Sequence, residues 1–137
     1  MKQVTIRVRW ADMDAYQHVN NAVYLNYFEE ARDVVMVELF GSEALDFVLA
    51  HVDIDFRQEV TQDDGEITAL SRVVGFSRSS VRSREIVRKT DGSLAAEGGA
   101  VVVPRNPETG RSRPLTTDEI AQITAELAAD EAAGIDF

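Results

Sequence analysis

The chain contains no cysteine, which excludes disulfides, thiolate zinc sites and a cysteine nucleophile. Their absence suits a reducing, cytoplasmic setting. No apolar run approaches the roughly 20 residues needed to span a bilayer, so no membrane partner is expected. The opening Met1-Lys2-Gln3-Val4 leads straight into a polar/apolar alternation, from which no signal peptide is expected. Basic residues are also scarce. Lys and Arg number 14 against 24 Asp and Glu, for a formal net charge of −10. A duplex-binding surface is normally basic, so nucleic acid is an unsuitable partner.

What remains is an ordinary globular balance, 45% apolar and 28% charged over 137 residues. That material builds one core rather than two, and residues 1–137 are expected to form a single domain. The charge is unevenly placed. Arg72 to Lys89 holds six basic residues and one acid, Glu85, whereas Asp118 to Phe137 holds six acids and no base. A local basic stretch in an acidic chain serves either as a solvated strand face or as a site for a small polyanion.

Periodicity gives the elements. Lys2 to Trp10 alternates, with Val4, Ile6, Val8 and Trp10 on one face, and reads as a half-buried strand. Ala11 to Asn21 is rich in Asp, Asn and His and reads as a loop. Ala22 to Phe40 carries Tyr24, Phe28, Ala31, Val35 and Leu39 at helical spacing. Val23, Tyr27, Val34 and Val37 broaden that stripe, so the helix is expected to be largely enclosed, with Gly41 as its stop. Glu29, Glu30 and Arg32 read as a solvated or locally paired helix face. Strands are expected around Val52 to Arg57, over Glu66 to Phe76, Ser80 to Lys89 and Leu94 to Val103, with turns at Asp63-Asp64-Gly65 and Thr90-Asp91-Gly92-Ser93. Asn106 to Pro114 reads as a polar loop. A last helix opens at Thr116-Thr117-Asp118-Glu119 and runs to about Asp130. One strand, a long helix, four strands and a short helix make an α+β chain with an antiparallel sheet.

Chemistry concentrates where the loop enters the long helix. Asp12, Asp14, His18, Asn20 and Asn21 lie within ten positions. The first helical N–H groups lack internal partners and, with the helix dipole, favour negative charge. Such a place stabilises the oxyanion of an attacked carbonyl, and a neighbouring carboxylate serves as nucleophile or general base. The same residues also have simpler uses, since an Asp or Asn before a helix commonly caps it or makes an Asx turn, and a His there tethers the loop.

The segment Asp12-Met13-Asp14, His18-Val19-Asn20-Asn21, Tyr24 and Phe28-Glu29-Glu30-Ala31-Arg32 resembles the signature of the hotdog-fold acyl-CoA thioesterases, in the branch that includes 4-hydroxybenzoyl-CoA thioesterase. A weaker resemblance continues through Gly75-Phe76-Ser77-Arg78-Ser79-Ser80 and Ala96-Glu97-Gly98, and covers residues 4 to 115. It implies an antiparallel sheet wrapped around one long central helix, hydrolysis of acyl-CoA without metal or cofactor, and sites at the interfaces of a homodimer or homotetramer. Asp14 matches the catalytic carboxylate, with Asp12 structural, and the Asn21 N–H matches the donor that polarises the carbonyl. His18 is expected to shape the loop and assist a water. Asn20 and Tyr24 are expected beside the substrate. Arg78, Arg82 and Arg84 are the candidates for CoA phosphates; Arg82, Arg84 and Arg88 share strand parity, although Ile86 interrupts it and a bulge would leave the facing of Arg88 open. Hydrolysis of acyl groups on a carrier protein, and a non-catalytic acyl-binding role, are the alternatives.

Overall fold

A computed structural model describes every residue, Met1–Phe137. Strand β1 (Lys2–Arg7) is followed by helix α1 (Asn21–Phe40), strands β2 (Phe47–Phe56), β3 (Glu66–Ser77), β4 (Ser80–Lys89) and β5 (Leu94–Pro104), and helix α2 (Thr117–Ala132). The five strands form one antiparallel sheet in the order β1-β3-β4-β5-β2. Gly92 takes φ +85° in the β4–β5 turn, where Lys89 N–H donates to the Ser93 carbonyl at 2.9 Å. A side chain there would be strained.

Helix α1 lies across one face of the sheet, against β1, β3 and β4. Its buried positions, Tyr24, Tyr27, Phe28, Ala31, Val35, Met36 and Phe40, follow the helical stripe read from the sequence. Phe28 is fully buried, and removing such a ring from water contributes about 2–3 kcal/mol. The facing strand positions are Ile67, Ala69 and Val73 on β3, Val81 and Val87 on β4, and Ala96, Ala100 and Val102 on β5. Thr116 caps α2 in a reciprocal pair with Glu119, as its sequence suggests, and Ile123 docks that helix on the core.

Four expectations need correction. Trp10 is not on the buried face of the first strand. Pairing with β3 ends at Arg7, residues Trp10–Asp12 turn as a short 3-10 segment, and the indole is 78% exposed. The second strand begins earlier than Val52, at Phe47, after a 3-10 segment over Gly41–Asp46. The helix is not enclosed all round, since Val34 and Val37 face outward. Arg32 is not on a solvated face. It is buried beneath α1, with Nη1 3.5 Å from Oε1 of the fully buried Glu85. Burial pushes the Glu85 carboxyl above the ordinary glutamate value, and Arg32 and Ser71 oppose that rise.

The Arg32–Glu85 pair divides the core. On the Tyr24 and Phe28 side lie Ile67, Ala69 and Val87; on the Val35 and Met36 side lie Val73, Val81 and Val102. Ser71, directly across the β3–β4 ladder, donates to Glu85 at 3.2 Å. Gly98 is opposite Glu85 on β5, and an added Cβ would come within 2.1 Å of the Asp53 carbonyl oxygen. The close approach of β2 at this point requires glycine. No helix is long and apolar enough to cross a membrane.

Candidate active site at the start of the long helix

The loop before α1 is built around Asp12. Its side chain is almost wholly buried and accepts from the Arg9 N–H at 2.9 Å, from the Arg9 guanidinium at 2.8 and 3.2 Å, and from the Tyr27 hydroxyl at 3.0 Å. Burial works against ionisation here, yet these donors outweigh it and hold the Asp12 carboxyl below the ordinary range. Burial and the hydrogen bond to Asp12 push the Tyr27 phenol strongly upward, so it stays a donor. The Asp12 carbonyl also accepts from Asn20 N–H at 2.9 Å, closing the loop onto the helix. Asp12 is thus the anchor of the segment, as expected of a structural acid.

Between these ends, Met13 and Val19 form a β-bridge and Asp14 N–H donates to the His18 carbonyl at 3.0 Å. Val19 is buried, and its N–H donates to the Val60 carbonyl at 2.7 Å, tying the loop to the β2–β3 connection. At the tip Gln17 N–H donates to the Asp14 carbonyl, and Gln17 adopts φ +66°, unlike every other non-glycine residue. That conformation costs roughly 1–2 kcal/mol for an L-residue. Such strain is characteristic of functional loops.

The Asp14 carboxylate divides its two oxygens. Oδ1 accepts from Tyr16 N–H at 2.9 Å, the Asx turn that its position allows. Oδ2 faces His18 Nδ1 at 3.6 Å, and the Asp14 side chain retains 20% exposure. The His18 ring stacks on Tyr16, with centroids 6.0 Å apart. Asn20 caps α1, its Oδ1 accepting from Ala22 N–H at 2.9 Å, while its carbonyl takes Val23 N–H. Asn21, the first helical residue, therefore keeps its own N–H without an acceptor in the chain. Tyr24 is buried behind this point. Its hydroxyl accepts from Val60 N–H at 3.2 Å, and burial raises its pKa.

These residues border two hollows. One, of about 320 Å³, has Asp14, Met13, Trp10 and Gln17 on one side and Thr61, Gln62 and Asp63 on the other. The second, of about 220 Å³, lies at the α1 N-terminus and contains His18, Asn21, Tyr24, Phe56 and Arg57. Asp14 and Asn21 thus open into neighbouring spaces, with the Asp14–His18 contact between them. The contributions of Phe56, Arg57 and Thr61 to Asp63 were not visible in the sequence. They arrive through the Val19–Val60 bond, and a single apolar Val60 in a polar run is the only local sign of it.

The basic stretch lies apart from this loop. Arg82, Arg84 and Arg88 are on the outer face of β4, opposite the inward Val81 and Val87, and the register shifts between Val87 and Arg88. Arg84 contacts Glu97 at 3.2 Å, and Arg88 donates to the Gly92 carbonyl at 3.0 Å. Arg78 occupies the β3–β4 turn. The Arg82 guanidinium lies over Gly75, close enough that an added Cβ would meet it at 2.6 Å.

The model of the thioesterase-like superfamily matches residues 8–129. Over 101 residues the chain is 30% identical to the long-chain acyl-CoA thioesterase FadM of Escherichia coli (strain K12), covering 69% of this chain and 76% of that protein. A thioesterase of Thermus thermophilus, solved in complex with coenzyme A and zinc, is 32% identical with a TM-score of 0.84, covering 93% of this chain and 94% of that one. The probable thioesterase YbaW of Escherichia coli shares the fold at 24% identity and a TM-score of 0.79, covering 93% and 99%.

Proposed function

The chain belongs to the thioesterase-like superfamily and is a thioester hydrolase, and from that premise we propose that it cleaves acyl-CoA to a free acid and CoA, with Asp14 as the catalytic carboxylate. The observation that carries this reading is the juxtaposition, within one bonded loop, of a partly exposed carboxylate and the unpaired first N–H of a 20-residue helix. Asp14 Oδ2 either attacks the thioester carbon or draws a proton from the water that does. The carbonyl oxygen gains negative charge as the bond forms, and the Asn21 N–H with the positive end of α1 stabilises it. The C–S bond then breaks and CoA departs as a thiolate. In the general-base route the proton held by Asp14 passes to that thiolate. In the nucleophilic route water hydrolyses the acyl anhydride left on Asp14, releasing the acid and restoring the carboxylate. His18, 3.6 Å from Asp14, orients the attacking water.

Support for CoA comes from the relatives, one named for acyl-CoA and another solved with coenzyme A. The phosphates are assigned to the outer face of β4, at Arg82 and Arg84 with Arg78. Asn20 and Tyr24 line the approach to the carbonyl. Residues 1–137 act as one domain in a homo-oligomer in a cytoplasmic setting. The free edge of β2, with exposed Val48 and Leu49, and the outward Val34 and Val37 of α1 are the surfaces that a second copy would cover.

The test is thiol release from a panel of acyl-CoA thioesters and the same acyl groups on acyl carrier protein. Turnover of acyl-CoA with a higher kcat/KM than the carrier-bound form is expected. Preference for the carrier, or no turnover of either, would reject the assignment.

A further inference from the structure

The two hollows flanking the Asp14–His18 contact differ in charge. In the hollow containing Asp14, the charged lining residues are Asp14 and Asp63, both acidic. The hollow at the α1 N-terminus has one base, Arg57, against one acid, Glu59, and so carries no net charge from these two. The Arg57 guanidinium is loosely held, 3.4 Å from Glu97 and 3.5 Å from Asp55, with its side chain 49% exposed. The same Glu97 oxygen contacts Arg84 at 3.2 Å, so cations continue outward from this hollow onto the sheet face that also carries Arg82. Arg113, by contrast, is committed to Glu119 through two hydrogen bonds of 2.7 and 3.0 Å. A thioester centred between Asp14 and the Asn21 N–H has two arms, and only one of them bears phosphate. Like charge keeps that arm out of the Asp14–Asp63 hollow. On the other side Arg57 and Arg84 share Glu97 at 3.4 and 3.2 Å, with Asp55 3.5 Å from Arg57, and each keeps guanidinium N–H groups to offer a phosphate. The hollow left for the acyl arm has Trp10 and Met13 as its apolar walls. Its exposed indole is a large apolar surface otherwise left in water.

We propose that the substrate is oriented by this charge difference, with the CoA arm leaving past Arg57 toward Arg84 and Arg82, and the acyl group lying against Trp10 in the hollow beside Asp14. The inference rests on the acyl-CoA reading and adds to it a direction, a binding residue (Arg57) and an acyl-contacting residue (Trp10).

Trp10 is the single tryptophan, so its fluorescence reports the acyl hollow alone. The probes are CoA and a non-hydrolysable S-alkyl-CoA thioether, titrated into the intact protein. The thioether is expected to shift Trp10 emission to the blue, and CoA without an acyl group to bind with little shift. Arg57→Ala is expected to weaken CoA by about tenfold, the loss of one charge-assisted contact, and to keep the thioether's blue shift at saturation. Pantetheine, which lacks the nucleotide, should bind wild type and variant alike. An equal shift from CoA alone, no shift from the bound thioether, or unchanged CoA affinity in Arg57→Ala would overturn the orientation. Because these readouts need no turnover, absence of hydrolysis would reject the catalytic assignment while leaving the orientation separately decided.

Discussion

At the scale of single residues, two neighbouring aspartates have different surroundings. Asp12 is buried among Arg9 and Tyr27, and Asp14 two residues later keeps one oxygen toward His18 and solvent. Asp12→Asn loses the charge-assisted bonds and is expected to destabilise the fold by about 2–3 kcal/mol, measured by urea denaturation, with less effect on kcat. The pH dependence has a definite sign. The Asp12 carboxyl is held below its ordinary value in the fold, so its stabilisation is complete above that value, about 3.9, and is lost as pH falls toward the lower folded one. The stability of wild type should therefore exceed that of Asp12→Asn at neutral pH, and the two should converge as pH falls below about 4. The sequence shows both acids but not which is buried, because that is decided by Tyr27, fifteen positions away.

At the scale of elements, the alternating and helical patterns were legible because burial on one face repeats with the period of the backbone. Hence α1, β3, β4, β5 and the Thr116 cap emerge near their observed bounds. Arg32 was not legible. Within Phe28-Glu29-Glu30-Ala31-Arg32 it looks like one more charged residue, and only the apposition of α1 to β4 reveals Glu85 as its partner. The full length of β2 was equally hidden, since an edge strand exposed on both faces shows little alternation. Arg32→Met leaves Glu85 buried without a cation and is expected to cost about 3–5 kcal/mol. Adding Glu85→Gln should recover part of that loss, and a double-mutant cycle of denaturation midpoints checks it. An additive result would deny the coupling. Burial raises the Glu85 pKa in the fold, so this carboxylate opposes folding above that raised value. Its penalty is relieved as pH falls toward the ordinary glutamate value, a sign opposite to that of Asp12.

At the scale of the whole molecule, the sheet is open at both edges and α1 leaves an apolar strip outside. Val34, Val37, Leu45, Val48 and Leu49 are exposed, and covering them with a second copy would remove that apolar surface from water. Sedimentation at micromolar concentration is expected to show a dimer or tetramer, and a sole species of 15.2 kDa would contradict that. Val37→Lys, by placing a charge in the strip, should shift the distribution toward smaller species if that surface is covered. The site itself was half legible. The loop residues Asp14, His18, Asn20 and Asn21 form a recognisable motif, whereas Arg57 and Gln62 reach it through a connection between strands. The assignment of Asp14 as the group that acts on the thioester is the centre of the account. The most direct test is steady-state thiol release from an acyl-CoA by folded Asp14→Asn beside wild type. The amide is nearly isosteric but can neither attack nor accept the proton, so kcat is expected to fall by at least about a hundredfold with KM little changed. Turnover within a few-fold of wild type in the folded variant would contradict it.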